Sequence, residues 1–301
     1  MCLVAFAINA CRRWPLVVAS NRDEFFDRPT LPMARWSTAS GHSIISGRDV
    51  RAGGTWLGMT PGGRIAWLTN VRQASMLPAS RSRGDLVMQW LEGEMDAAGF
   101  MAMTDPYAFG GFNLVLGDFQ ADSWTWLSNR VFDSAADGRN PDRAQIRGWS
   151  SCALTSGIYG LSNAALDTPW PKTVSLKASL SSAMATADDA GDITKLKAPL
   201  WQALASQQHA STHDLPDTGL PVAFEQALSS TFIDDPDRGY GTRCSTLLVA
   251  SAAVNGGKDG WNMEVEEKTF LRQPPGTTIS ADAGHTSLST HAIHWQRAAF
   301  S

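Results

Sequence analysis

The chain of 301 residues carries a formal net charge of −4, with 43 % hydrophobic and 18 % charged residues, enough apolar material for one large core and a single domain over residues 1–301. Phosphate-backbone binding needs a concentrated basic face that releases counterions, so this acidic balance argues against nucleic acid and favours a small-molecule substrate or an apolar ligand. The longest apolar run near the start, Leu3 to Ile8, is far short of the ~20 residues that span a bilayer and follows no basic segment, which argues against a transmembrane span or a secretion signal.

Two short apolar, β-branched runs, Cys2 to Asn9 and Leu16 to Ser20, are separated by a polar break with Pro15 and read as a hairpin. Thr55 to Met59 and Arg64 to Asn70 flank the turn-forming Thr60-Pro61-Gly62-Gly63, which predicts a second hairpin. Leu86, Val87, Trp90 and Leu91 recur at helical spacing between Ser82 and Glu94, with Ser82 and Asp85 placed as a capping box. Phe112 to Gly117 and Ser123 to Leu127 read as two more strands joined through Asp118 and Gln120. Asp167 to Pro171 carries two prolines, one suited to a first helical turn, and the Ala-, Leu- and Ser-rich stretch to Ala185 continues as helix; Leu196, Leu200 and Leu204 mark another. Past a Pro/Gly/Asp-rich linker, His213 to Pro221, come a short helix and a closing strand pair, Thr242 to Ala252 and Trp261 to Leu271, around Asn255-Gly256-Gly257. From Arg272 the chain is polar and reads as a loosely packed extension. Strands, then helices, then strands again describe an α+β chain with mostly antiparallel sheets covered by helices.

Four cysteines, Cys2, Cys11, Cys152 and Cys244, show no C-x-x-C pair and no regular spacing, so neither a zinc site nor a disulfide framework is signalled and a cytoplasmic setting is expected. Cys11, Cys152 and Cys244 read as small buried hydrophobes. Cys2 differs, because a small residue after the initiator methionine invites methionine removal, which leaves a thiol and a free α-amine on one residue. An α-amine titrates at roughly 7.7–8.0, so near neutral pH a useful fraction is unprotonated and can accept the thiol proton; nucleophile and base then share a residue. The alternative is that Cys2 simply begins an edge strand. Ser20-Asn21-Arg22-Asp23-Glu24 closes the first hairpin with a cation and two anions that could orient thiol and amine, or form an ordinary solvated turn. By strand alternation Asn21 and Asp23 face one way and Arg22 and Glu24 the other, so one pair is expected to meet Cys2.

The segments Met1-Cys2-Leu3, Ser20-Asn21-Arg22-Asp23-Glu24, Arg35-Trp36, Gly47-Arg48-Asp49, Gly53-Gly54-Thr55-Trp56-Leu57-Gly58, Leu68-Thr69-Asn70-Val71-Arg72, Tyr159-Gly160-Leu161-Ser162-Asn163, Asp167-Thr168-Pro169-Trp170-Pro171-Lys172, Leu215-Pro216-Asp217-Thr218-Gly219 and Tyr240-Gly241-Thr242-Arg243 cover almost the whole chain. In order and spacing they resemble the NRDE family, also called the transport and Golgi organisation protein 2 family. That family resembles, more distantly, the N-terminal-nucleophile (Ntn) hydrolases of the choloylglycine hydrolase and penicillin V acylase type, which implies a four-layer αββα sandwich with a mature N-terminal cysteine. In those amidases an arginine and an aspartate near the end of the second strand hold the cysteine, two asparagines form the oxyanion site and a late arginine supports the nucleophile. Carried over by motif, the resemblance implies roles for Cys2, Arg22, Asp23, Asn70, Asn163 and Arg243. The amidases space their pair as R-x-x-D, so an alignment that places Asn21 and Glu24 on it stays open. Paired asparagines suit acyl transfer, because neutral N–H donors meet the negative charge that develops on oxygen, and removing one such donor typically costs ~10²–10³ in rate. Taken alone, Asn70 also reads as a strand-end turn residue, Asn163 as a helix cap and Arg243 as a strand-end charge.

Gly53-Gly54 and Gly62-Gly63 match no phosphate-loop pattern, and His285, His291 and His294 sit in a Ser/Thr-rich tail and read as solvent-exposed, so no cofactor and no metal is assigned. Twelve tryptophans, among them Trp56, Trp149 and Trp170, serve core and turn packing or line an apolar cleft suited to an acyl chain. Two functions stand side by side: an N-terminal cysteine hydrolase or acyltransferase acting on an amide or acyl-thioester, and a non-catalytic carrier of lipid, acyl-coenzyme A or haem on the same fold. The C-x-x-C-H attachment motif is absent, so haem would be held non-covalently.

Overall fold

The computed structural model describes residues 2–72, 79–130, 148–252, 260–270 and 286–296. In chain order the elements are β1 (Cys2–Ile8), β2 (Leu16–Phe25), β3 (Thr30–Ser37), β4 (Ser43–Asp49), β5 (Leu57–Met59), β6 (Arg64–Asn70), α1 (Gly84–Glu92), α2 (Ala97–Met103), β7 (Phe112–Asp118), β8 (Ser123–Ser128), β9 (Ser150–Ala153), β10 (Gly157–Leu161), α3 (Pro171–Ala190), α4 (Ile193–Leu204), α5 (Val222–Ala227), β11 (Asp234–Asp235), β12 (Tyr240–Ala252), β13 (Gly260–Phe270) and β14 (Thr286–Gln296). One sheet runs β10-β1-β2-β12-β13-β14 with β11 beside β12; the other runs β3-β4-β5-β6-β7-β8-β9. All the pairings are antiparallel.

Period-two alternation sorts β1 into two cores. Val4, Phe6 and Ile8 point between the sheets, where they meet Trp67, Trp124 and Val115 from the second sheet. Leu3, Ala5 and Ala7 point the other way, with Leu176, Leu180 and Leu200 of α3 and α4. On the second sheet Ile65 and Trp67 face inward while Ala66 and Leu68 pack against Leu86, Trp90 and Phe100 of α1 and α2. The result is helix, sheet, sheet, helix, the four-layer αββα sandwich the resemblance implies. Pro171 opens α3 and Gly191 closes it in the left-handed conformation.

Several local expectations change. The residue before α1 is Arg83, with helical φ and ψ, and Ser82 Oγ accepts from Gly84 N at 3.3 Å, while Asp85 pairs with Arg81 at 3.4 Å; the capping box does not form. The tail is not uniformly loose, because Thr286–Gln296 adds an edge strand along all of β13. His291 Nε2 lies 3.0 Å from Met33 O, so this histidine is half-buried against β3, whereas His285 and the Asn255-Gly256-Gly257 turn lie outside the described residues. Cys244 is buried, but Cys11 is only half-buried and Cys152 is exposed on the edge strand β9. Among the described residues no helix is long and apolar enough to cross a membrane.

Candidate active site

Cys2 is the first residue of β1 and shares its inter-sheet face with Val4 and Phe6, at the end where the layer opens. In the antiparallel register it stands opposite Arg22 of β2, which in turn stands opposite Cys244 of β12, so the three side chains share that face. The Arg22 guanidinium lies over the Trp56 ring at 4.3 Å, donates to Thr30 Oγ1 at 3.3 Å and sits 3.7 Å from the Glu24 carboxylate. Arg28 extends the network, 2.7 Å from Asp49 and 3.7 Å from Glu24.

The second sheet supplies the opposite wall. Asp49 Oδ1 accepts from Arg51 N and Ala52 N, and Asp49 N donates to Gly54 O at 2.9 Å, which folds the loop after β4 into a tight turn. A Cβ on Gly54 would lie 2.6 Å from the Gly84 carbonyl carbon, so only a glycine lets this loop touch the start of α1. Between the walls lies a cavity of about 830 Å³ bordered by Cys2, Trp56, Leu68, Asn70 and Phe109 among others, within the size range of small-molecule sites.

Of the residues singled out from sequence, Cys2, Arg22, Asp23, Glu24 and Asn70 border this cavity, and Asn21, Asn163 and Arg243 do not. Of the two alternating pairs of the Asn21–Glu24 segment, Arg22 and Glu24 share the Cys2 face and both border the cavity, whereas Asn21 and Asp23 are split, Asp23 bordering the cavity and Asn21 not. Asn21 is fully buried on the helix side, donating to Leu204 O and Thr231 O at 2.8 and 2.9 Å and accepting from Ser245 Oγ at 2.6 Å. Asn163 Nδ2 donates to Asn70 O at 2.9 Å and its carbonyl accepts from Arg72 N, which clasps the end of β10 to the end of β6. Arg243 donates to the carbonyls of Phe25, Phe26 and Arg28, and so staples the turn after β2. Trp56 alone of the three singled-out tryptophans borders the cavity; Trp149 packs on Phe100 and Phe112, and Arg72 lies over Trp170.

Electrostatics differ sharply from one position to the next. Burial pushes the Cys2 thiol above its ordinary pKa. Burial would raise Glu24 as well, but the positive charge around it, Arg22 and Arg28 included, outweighs that and holds the carboxyl below its usual range. Asp23 is raised by burial while Thr242 Oγ1 donates to it at 2.8 Å. Behind Asp23, burial lowers the Lys172 ammonium to about 8, and Arg72 pairs with Glu225 at 2.5 Å.

Sequence reasoning left Lys172 and Arg72 as motif members without a role, and passed over Arg83 and Arg130, which also border the cavity. No local pattern marks either arginine; both reach the site through tertiary packing. Among the described residues no group of three or more His, Cys, Asp or Glu side chains is arranged to hold a metal ion. Chemically, the arrangement offers an enclosed thiol, a carboxamide on the facing wall and guanidiniums around both.

The sequence profile of the family described as Transport and Golgi organisation 2 matches residues 1–271. The Transport and Golgi organization 2 homolog of Mus musculus is 34 % identical over 181 residues, 57 % of this chain and 60 % of that protein, so the match spans less than two thirds of the relative. The Bos taurus homolog is 29 % identical over 268 residues, covering 84 % of this chain and 89 % of that one. Among solved structures, the Caenorhabditis elegans ortholog of N-acylethanolamine-hydrolyzing acid amidase aligns over 82 % of this chain and 92 % of its own, at 12 % identity and a TM-score of 0.45. A mutant of the conjugated bile acid hydrolase from Clostridium perfringens aligns over 97 % and 96 %, at 6 % identity and a TM-score of 0.37. With nine-tenths of its length inside that profile, the chain belongs to the Transport and Golgi organisation 2 family.

Proposed function

We propose that the protein is an N-terminal cysteine hydrolase or acyltransferase acting on an amide or acyl-thioester, with Cys2 as the nucleophile. The observation that carries this reading is the position of Cys2 at the first residue of β1, opposite Arg22 and on the wall of the cavity between the sheets. Removal of Met1 frees the α-amine. That amine takes the Sγ proton, and the thiolate attacks the acyl carbon of a substrate held in the cavity. The oxygen gains the negative charge of the tetrahedral intermediate, and the Asn70 carboxamide donates to it. As the intermediate collapses, the ammonium returns its proton to the departing amine or thiol and an acyl-enzyme thioester remains. Water, deprotonated by the same amine, then releases the carboxylic acid and restores the thiol. Arg22 and Glu24 position Cys2; Asn163 acts through Asn70 by fixing its backbone. A reducing, cytoplasmic setting suits the free thiol this chemistry needs.

Because burial raises the thiol pKa, the resting group is neutral and turnover rises as pH climbs through the amine's titration at roughly 7.7–8.0. The test is intact mass of untagged protein before and after a thiol-reactive acyl analogue. The expected result is a chain lacking Met1 with one adduct, absent from the Cys2→Ala protein. Retention of Met1, or binding of acyl ligands with no adduct and no turnover, overturns the catalytic reading in favour of a carrier.

A further inference from the structure

The acyl chemistry proposed for Cys2 puts negative charge on one oxygen, and the family resemblance assigns two asparagines to meet it. Asn70 borders the cavity and is placed to do so, but Asn163 does not, and its Nδ2 donates to Asn70 O at 2.9 Å. A second donor must therefore come from another residue, and the surroundings of Asn70 indicate which.

Asn70 ends β6 opposite Phe112 of β7. One residue on, Val71 N donates to Gly111 O at 3.0 Å, and the same carbonyl oxygen accepts from Arg83 Nη1 at 3.2 Å. The Arg83 guanidinium is thus moored at the pairing that follows Asn70, on the border of the cavity. Its backbone is fixed as well: Arg83 has helical φ and ψ, and its carbonyl accepts from Leu86 N at 3.1 Å. A Cβ on Gly110 would lie 3.3 Å from Arg83 Nη1, so the glycine leaves the guanidinium its room. Arg83 also lies close enough to Cys2 and Glu24 for their charges to act on it. Burial lowers its pKa, yet an arginine is effectively always protonated. A guanidinium has five N–H donors, and Arg83 spends one on Gly111 O. A cation moored before the reaction begins needs no reorganisation as charge develops on a nearby oxygen.

We propose that Arg83 is the second oxyanion donor, a catalytic residue that works beside Asn70. This rests on the acyl chemistry proposed above. As Sγ bonds to the acyl carbon, the carbonyl π pair moves onto oxygen, and Arg83 donates an N–H to that oxygen without giving up the proton. When the pair returns, the C=O re-forms and the amine or thiol departs with the proton of the α-ammonium.

Two reactions of Cys2 separate this role from a structural one. Acylation by S-octanoyl-N-acetylcysteamine, a neutral thioester, passes through an oxyanion, whereas alkylation by iodoacetamide displaces iodide and forms none. Both are followed by intact mass of untagged protein in a single turnover. In Arg83→Gln the saturating acylation rate is expected to fall ~10²–10³-fold, while the half-saturating concentration and the alkylation rate stay within about threefold of wild type. Acylation that also stays within about threefold, or a loss confined to half-saturation, overturns the role. Equal slowing of both reactions overturns it too and makes Arg83 a structural residue. Arg83→Met carries the same comparison should Arg83→Gln fail to fold. Wild-type protein that is never acylated removes the acyl chemistry and this role with it, whereas acylation untouched by Arg83→Gln removes the role of Arg83 alone.

Discussion

The two sides of the outer end of β2 carry similar charge but follow opposite rules. On the cavity side Arg22, Glu24, Arg28 and Asp49 form a chain of ion pairs open to the cavity, two of its three contacts at 3.7 Å. On the helix side Arg72 and Glu225 pair at 2.5 Å with each side chain 3 % exposed, Glu225 also accepts from Thr218, and Lys172 Nζ is buried with no hydrogen-bond partner among the described residues. The cavity-side pairs are loose and partly open at Arg28 and Glu24, so each contributes little, whereas a fully buried pair is modest in net stability but very costly to break on one side. The cavity side is thus free to be arranged for a ligand, and the helix side is committed to holding the strands.

If that division is right, substitutions on the two sides separate cleanly. The largest effect is expected from Cys2→Ala, where turnover falls at least ~10³-fold, to background, while the melting temperature barely moves; a collapse of melting would make Cys2 a packing residue instead. Glu225→Ala strands Arg72 as an uncompensated buried charge and should cost about 3–5 kcal/mol, seen as a denaturant midpoint shift without a proportionate loss of kcat in the fraction that remains folded. Asn70→Ala is expected to lower kcat by ~10²–10³ with little change in melting, and an unchanged kcat would remove Asn70 from the oxyanion role. The smallest effect concerns Lys172. Its folded pKa of about 8 lies below the ordinary 10.5, so between those values the unfolded chain binds more protons and stability rises with pH. The gain is on the order of 1–2 kcal/mol from pH 8 to 10. It is opposed over the same range by the buried Cys2 and Cys244 thiols, both raised above 9.0, and toward pH 10 and beyond by Tyr240, raised well above 10.0, because in each case the unfolded group ionises first. Lys172→Met should make the slope of stability against pH less positive in urea titrations at pH 8, 9 and 10; an identical slope in both proteins would mean that Lys172 is not buried as described.

What could be read from the residues follows how each element is stabilised. Both hairpins, α1, α3 and α4 were legible because their apolar side chains recur with the period of the element. β3 was not: Pro32 interrupts it, a bulge shifts its register between Leu31 and Ala34, and most of its side chains are exposed. β14 offers Ser, Thr and His where a buried strand would show Val or Ile, and it is held by backbone pairing to β13 and by His291. In the site, Cys2 and Arg22 to Glu24 were legible because they are local to one hairpin. Asn21, Asn163 and Arg243 were legible as polar residues in motifs, but their hydrogen bonds run to Leu204, Asn70 and Phe25, and only the folded chain shows that they brace the site from behind. Arg83 and Arg130 come from loops flanking the second sheet, and nothing near them in sequence announces a cavity.

The pairing of β1 with β2 also acts as a positional address for Cys2. Seven consecutive pairs, from Ile8 opposite Leu16 to Cys2 opposite Arg22, fix which side of the sheet the thiol occupies. A slip of one residue would send Phe6 toward the helices and Ala5 into the layer between the sheets, and would carry Cys2 out of reach of the cavity. Phe6, stacked on Tyr159 at 5.3 Å and edge-on to Trp67 at 5.1 Å, therefore holds the thiol in position from four residues away, and a change there can shift Cys2 without substituting any residue of the cavity.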